Sequence, residues 1–274
     1  MTLDDQLSLH LDARRPGLPA GLRPMLPRTV RAPFDDADYL FEPWWGGERA
    51  FVSVESDPAP HADMVRIVNG RGRELGAALP ELTGPDGLAA RFGDHSAVVD
   101  GCLVVVGLDG RPDPSALAAR LDGETGRIVV FLAFDLVALD GRPILSEPLE
   151  RRRERLARAA QAGGSLLIVP AIAGEGRTLH AAAGVQGIPA IVGRHRLSPY
   201  LPGVRSRLWR LVRTSAGSTE AAPAMRTGSG GADGADGVPD HETDPGSQPL
   251  TGRSGARPII GLILRLPLDG DGPA

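Results

Sequence analysis

Lysine is missing from this chain. All 30 basic side chains among its 274 residues are arginine. That excludes every reaction needing a lysine amine: Schiff bases, lysyl-nucleotide intermediates and P-loop phosphate binding. Cysteine occurs once, which rules out a disulfide framework and a cysteine-rich zinc site. Aromatic residues are only 4% of the chain, so an aromatic-lined site must be small. No apolar run approaches the ~20 residues of a membrane span. The opening MTLDDQLSLHLDARR has early acids and no apolar centre, unlike a signal peptide. Six scattered histidines show no metal-ligand spacing. These absences leave a soluble cytoplasmic protein, with no membrane partner, as the expectation.

The residues that are present make room for one sizeable domain with an appendage. A hydrophobic content of 42% supports a packed core. Abundant Ala, Gly and Pro beside an arginine-only basic set are what a GC-rich genome produces. Such bias thins surface lysines but does not remove a catalytic one. Residues 1–213 carry 26 arginines and 26 acids, whereas residues 214–274 carry 4 and 8, so the net charge of −4 lies in the tail. Within the neutral part, Arg194, Arg196, Arg205, Arg207, Arg210 and Arg213 follow one another with no acid between them. This stretch either contacts phosphates or forms a solvated surface.

Residues 1–22 read as a polar extension. Strand-like runs follow at 50–55, 64–68, 97–106, 128–137, 166–169 and 208–212, each short, β-branched and bounded by Gly, Asp or Pro. Helical stretches fall at 114–121 (PSALAARL) and 147–160 (EPLERRRERLARAA). The second is expected to start at a Ser146 cap, to bury Leu149, Leu156 and Ala160, and to point its arginines at water. Strands and helices mix without strict alternation, which argues for an α+β fold. Residues 214–257 are rich in Gly, Ser, Asp, Thr and Pro and read as a disordered linker. The apolar run PIIGLILRLPL at 258–268, in a terminal segment 258–274, either packs back on the domain or serves a partner.

Five segments in register resemble one family. They are LRPMLPRTVRAPFDDADYLFEP from Leu22, GRELGAALPEL from Gly72, VVDGCLVVVGLDGRPDPSALAARL from Val98, FLAFDLVALDGRPILSEPLERRRERL from Phe131 and RLSPYLPGVRSRLWRLVR from Arg196. Together they resemble the adenylation (nucleotidyltransferase) domain of ATP-dependent DNA ligases of the bacterial end-joining kind, over residues 23–213. The resemblance implies a two-sheet antiparallel α+β nucleotidyltransferase fold. It also implies ATP and Mg²⁺ as cofactors and DNA or end-joining repair proteins as partners. The chemistry it implies is attack of a lysine, in Lys-x-Asp-Gly-x-Arg, on the α-phosphate of ATP, with transfer of AMP to a 5′-phosphate at a nick.

The motifs themselves depart from that pattern. The first reads Trp44-Trp45-Gly46-Gly47-Glu48-Arg49, with Trp44 at the nucleophile and Gly46 at the aspartate. Indole offers no nucleophilic lone pair and is far bulkier than an amine. Asp-Gly-Glu appears as Asp100-Gly101-Cys102, and Ser-Arg-Asn-Gly-Arg as Asn69-Gly70-Arg71-Gly72-Arg73. The motif Glu-Gly-Val-Val-Ala-Lys-Arg aligns on residues 189–195, which puts Pro189 at a metal-linked carboxylate. Trp-x-Lys-x-Lys reads Trp209-Arg210-Leu211-Val212-Arg213. Cys102 reads as an inert buried thiol. Trp44 and Trp45 read as filling beside a vacated pocket.

Other positions survive. The resemblance places Glu42 at the adenine edge, Phe134 under the base, Arg49 at the ribose or phosphate, and Arg73 and Arg213 among the vestigial contacts. Arg194, Arg196, Arg205 and Arg207 are further candidates for phosphate. From its apolar strand alone Phe134 reads as core, and Glu42 as a loop acid or a partner of Arg49. The 17 residues from Pro258 are too few for the OB-fold that active members carry, so no complete OB domain is expected. The reading is a ligase-like pseudoenzyme, with adenine nucleotide weakly held or not held and metal ligands lost. A non-covalent nucleotide-binding module or a DNA or protein scaffold is the alternative.

Overall fold

The computed structural model describes residues 21–56 and 64–219. The expectations for residues 1–20, for 220–257 and for 258–274 lie outside the described residues. Eleven strands are described: β1 (Leu26–Val30), β2 (Asp36–Trp44), β3 (Glu48–Val54), β4 (Val65–Asn69), β5 (Ala97–Val104), β6 (Val130–Leu139), β7 (Arg142–Pro143), β8 (Leu166–Ile168), β9 (Ile172–Gly174), β10 (Ala190–His195) and β11 (Arg205–Arg213). Six helices intervene: α1 (Pro80–Thr83), α2 (Ala89–Phe92), α3 (Pro114–Leu121), α4 (Leu149–Ala159), α5 (Gly176–Val185) and α6 (Ser215–Thr219).

The strands form two sheets, ordered β1-β11-β10-β2-β9 and β4-β3-β5-β6-β7, with β8 added beside β6. Pairing is antiparallel except for β1 with β11 and β8 with β6. This is the two-sheet α+β architecture expected. The central strands of the second sheet are near-continuous apolar runs because both of their faces are covered. One face, with Val52, Val99, Phe131 and Leu136, packs under Leu79, Leu82, Leu88, Phe92 and Leu156. The other meets the first sheet through Met25, Phe51, Val98, Val137, Tyr200 and Trp209. None of the described helices is long and apolar enough to cross a membrane.

Two helices repay comparison with the sequence. α3 runs over the expected residues, and the Asp113 side chain accepts from the Ala116 amide at 2.9 Å as its cap. α4 begins at Leu149, not beside Ser146. Its leading amides need no side-chain cap, because Leu149 N donates to Ser198 O and Glu150 N to Arg196 O, each at 3.0 Å. The segment after β10 thus caps the helix, a partner nearly fifty residues away that a local reading does not see. The arginines of α4 also divide. Arg151, Arg155 and Arg158 face water, but Arg152 is fully buried and Arg153 nearly so. Beyond β11 the described chain continues: the Thr214 hydroxyl donates to Ile188 O at 2.6 Å and α6 follows.

Candidate functional site

Strand register sets what faces the space between the sheets. Residues two apart on a strand share a face, as do directly paired residues on neighbouring strands. In β2, Leu40, Glu42 and Trp44 share one face, opposite Arg194, Val192 and Ala190 of β10. These continue onto Trp209, Leu211 and Arg213 of β11. On the other sheet, Arg49 pairs with Cys102 and Phe51 with Asp100, so these four share the facing side.

A charged cluster fills the middle of this space. Arg49 grips Asp100 with two hydrogen bonds, Nε to Oδ1 at 2.6 Å and Nη2 to Oδ2 at 2.5 Å. The Tyr200 hydroxyl donates to the same carboxylate at 2.5 Å and accepts from the Met25 amide at 3.2 Å. Glu42 is buried between two guanidiniums. Arg153 Nη1 lies 2.9 Å from its Oε2, and Arg194 Nη1 pairs with its Oε1. Arg153 also donates to the Phe134 carbonyl at 2.8 Å and to the Val169 carbonyl. A second fully buried pair, Arg152 with Asp135 at 2.8 Å, lies beneath. Glu42 is therefore no loop acid and not the partner of Arg49. It belongs to Arg153 and Arg194.

The Phe134 ring is covered by cations of the chain itself. The guanidinium carbon of Arg194 sits 4.1 Å from its centroid and that of Arg49 sits 4.4 Å away. The same two groups lie 4.7 and 5.8 Å from the Trp209 ring. Cation–π attraction offsets part of the cost of burying these charges. Burial opposes the Arg49 charge, but the attraction of Asp100 outweighs it and holds its pKa above the ordinary arginine range. For Arg194 and Arg153 burial prevails and pulls them down to about 9 and about 10. The Arg194 side chain is 4% exposed; its Nη1 meets Glu42 as an ion pair only, and neither Nε nor Nη1 has a hydrogen-bond partner.

Trp44 packs against Ala190, Val192 and Leu211, one strand pair beyond the charged cluster. Trp45 is buried. Gly46 and Gly47 follow with φ of +71° and +80°. A Cβ at Gly47 would lie 2.2 Å from the Leu103 carbonyl oxygen, so only glycine fits there. The Cys102 thiol donates to the Gly46 carbonyl at 2.8 Å. Burial pushes that thiol up to about 12, as expected of an inert cysteine. Pro189 precedes β10 and its carbonyl accepts from Thr214 N at 3.0 Å.

The structure thus brings Glu42, Arg49, Phe134 and Arg194 together, with Trp44, Cys102 and Gly46 close by in register. The other candidates lie elsewhere. Arg73 is exposed and donates to the Leu121 carbonyl at 2.9 Å. Arg213 ends β11 opposite Ala190 and is exposed. Arg196 pairs with Glu150 at 2.7 Å, Arg205 donates to the Pro27 carbonyl at 2.9 Å, and Arg207 is exposed. The run 194–213 is therefore not one surface, because Arg194 points inward. Arg152, Arg153, Asp135 and Tyr200 were not singled out from the sequence. The spacing of Arg152 and Arg153 within an apolar-faced helix was the only local signal.

No protein-family model matches the chain. It is 33% identical over 173 residues to the multifunctional non-homologous end joining DNA repair protein LigD of Mycobacterium tuberculosis, covering 63% of this chain and 21% of LigD. It is 30% identical over 201 residues to DNA ligase C1 of Mycolicibacterium smegmatis, covering 67% of this chain and 54% of the ligase. It is 25% identical over 193 residues to the SPbeta prophage-derived DNA ligase-like protein LigB of Bacillus subtilis, with coverages of 69% and 66%. Only part of LigD and of DNA ligase C1 is therefore spanned. Among solved structures, mycobacterial DNA ligase D complexed with ATP and MES aligns with a TM-score of 0.58 at 29% identity, over 70% of this chain and 60% of that one. The ligase domain of M. tuberculosis LigD gives the same score and identity over 69% and 58%.

Proposed function

We propose that this chain, which belongs to the ATP-dependent DNA ligase family by its adenylation domain, keeps that domain's fold, has lost its reaction, and serves as an accessory in DNA end joining. It forms no lysyl-AMP and seals no nick by itself. Trp44 carries this reading. It ends β2 at the position of the family's nucleophile, it is packed on Ala190, Val192 and Leu211, and the chain holds no lysine to replace it. An indole nitrogen has no free lone pair for attack on phosphorus, so the covalent step has no agent.

The residues present do not fit ATP with Mg²⁺. The Phe134 face is covered by Arg49 and Arg194. Each carboxylate oxygen of Glu42 already faces a guanidinium, of Arg153 or of Arg194. Cys102 and Pro189 stand where carboxylates would face a cation, and among the described residues no group of three or more His, Cys, Asp or Glu could hold a metal. An end-joining role rests on LigD, whose name assigns it to non-homologous end joining.

The test is incubation of the chain with α-labelled ATP and Mg²⁺, followed by a denaturing gel, with a lysine-bearing ligase as positive control. No labelled band is expected, and no sealing of a nicked duplex. A covalent AMP adduct on this chain would overturn the reading.

A further inference from the structure

The charged cluster has one cation too many. Arg49, Arg153 and Arg194 share two carboxylates, Asp100 and Glu42, while Arg152 and Asp135 balance each other. Asp100 is taken up by Arg49 and Tyr200, and Glu42 already has Arg153. Arg194 is the surplus member. A buried guanidinium with an unpartnered Nε is costly and adds no charge balance. What it gains comes from Glu42 and the two rings it lies over, and its position shows which space it fills. It lies over Phe134 and over Trp209, with Glu42 at its edge. Two π faces and a carboxylate at the rim make a slot for a flat group with N–H donors in its plane. A guanidinium is such a group, and so is an aminopurine.

We infer that Arg194 is an internal plug, whose guanidinium fills a flat slot between Phe134, Trp209 and Glu42 and keeps planar N–H-donating ligands out of the folded chain. The slot itself is complete without Arg194. Arg153 anchors Glu42 from α4, and Phe134 and Trp209 are held by β6 and β11. Shortening the side chain at 194 removes the plug and leaves the walls, with Arg49 still held on Asp100 beside Phe134. Only the identification of the slot with a former base site rests on the proposed function. The plug itself stands on geometry.

The experiment compares the full chain with Arg194→Ala and Arg194→Met. Thermal unfolding and calorimetry are run with two probes, methylguanidine and adenosine. The wild type should bind neither. Arg194→Ala should bind at least one of them about tenfold or more tighter than the wild type, and be stabilised by it. Arg194→Met, which refills the slot without N–H groups, should fold and bind neither. Methylguanidine alone would define the slot as cation-selective, and adenosine as base-accepting; either upholds the plug. Binding of adenosine to the wild type as tight as to Arg194→Ala would overturn it. So would a folded Arg194→Ala that responds to neither probe. If Arg194→Ala does not fold, rescue of its folding by methylguanidine supports the plug, and failure of rescue beside a folded Arg194→Met overturns it. Labelled ATP separates this inference from the preceding one. An AMP adduct on Arg194→Ala alone would overturn the loss of chemistry and uphold the plug.

Discussion

At Cys102 and Gly46, two positions where the family resemblance places carboxylates, a thiol now donates to a backbone carbonyl. The half-buried thiol keeps its proton to about 12, against an ordinary 9.0. Between those values the unfolded chain has released a proton that the folded chain retains. Stability therefore falls as pH rises through that window. Arg194 and Arg153, pulled down by burial, act in the opposite sense, but they are common to both proteins in the comparison. Between about pH 8 and about pH 10, urea unfolding should show the wild type losing stability relative to Cys102→Ala by the equivalent of a single proton. Equal pH dependence in the two would mean the thiol is not held protonated by the fold. Replaced residues such as Trp44, Gly46 and Cys102 were legible because a motif fixes their order along the chain. The buried arginines were not. Charge at 152, 153 or 194 reads as solvent-facing unless its partner is known, and Glu42 is 111 residues from Arg153.

At the scale of elements, α4 shows why local patterning stops short. Leu149, Leu156 and Ala160 are buried, as the spacing foretells, but Ala159 and Arg152 share the buried side, and Arg152 is satisfied by Asp135 of β6 and by the Ser198 and Glu147 carbonyls. The helix is thus fixed to the sheet by an ion pair inside the core as well as by leucines. Arg152→Ala should cost about 3–5 kcal/mol, because it leaves the Asp135 charge buried and alone. The exposed Arg158→Ala should change stability by no more than about 0.5 kcal/mol. Replacing both partners, Arg152→Met with Asp135→Leu, should recover much of the loss. Denaturant midpoints of the four proteins decide this. A double variant no better than Arg152→Ala would show that packing, not charge pairing, holds α4. β3 to β6 are legible as strands because their apolar runs are nearly continuous. β2, β10 and α5 escaped notice because β2 and β10 carry Asp, Glu, Arg and Gly within the strand and α5 is built on small residues.

Over the whole molecule, the two sheets meet through one apolar cluster and one polar network, and Tyr200 belongs to both. Its ring stacks edge-on against Trp209 at 5.9 Å while its hydroxyl bridges the Met25 amide and Asp100. Asp100 in turn holds Arg49, which reaches Phe134. A path of contacts therefore runs from the segment before β1, through the loop after β10, to β5, β3 and β6. Burial keeps the Tyr200 phenol protonated well above its ordinary range, so alkali within that ordinary range does not break this link. Removing only the hydroxyl, in Tyr200→Phe, leaves the ring contact intact and strips Asp100 and Met25 N of a partner. The expected cost is about 1–3 kcal/mol. Because the apolar cluster still joins the two sheets, the variant should unfold in a single transition, with tryptophan fluorescence and far-ultraviolet dichroism coincident. Trp209 and Trp44 report on the first sheet and Trp45 on the turn from β2 to β3, while the strand signal comes from both sheets. Two separated transitions in Tyr200→Phe, beside one in the wild type, would mean that this single hydroxyl couples sheets that are otherwise independently stable.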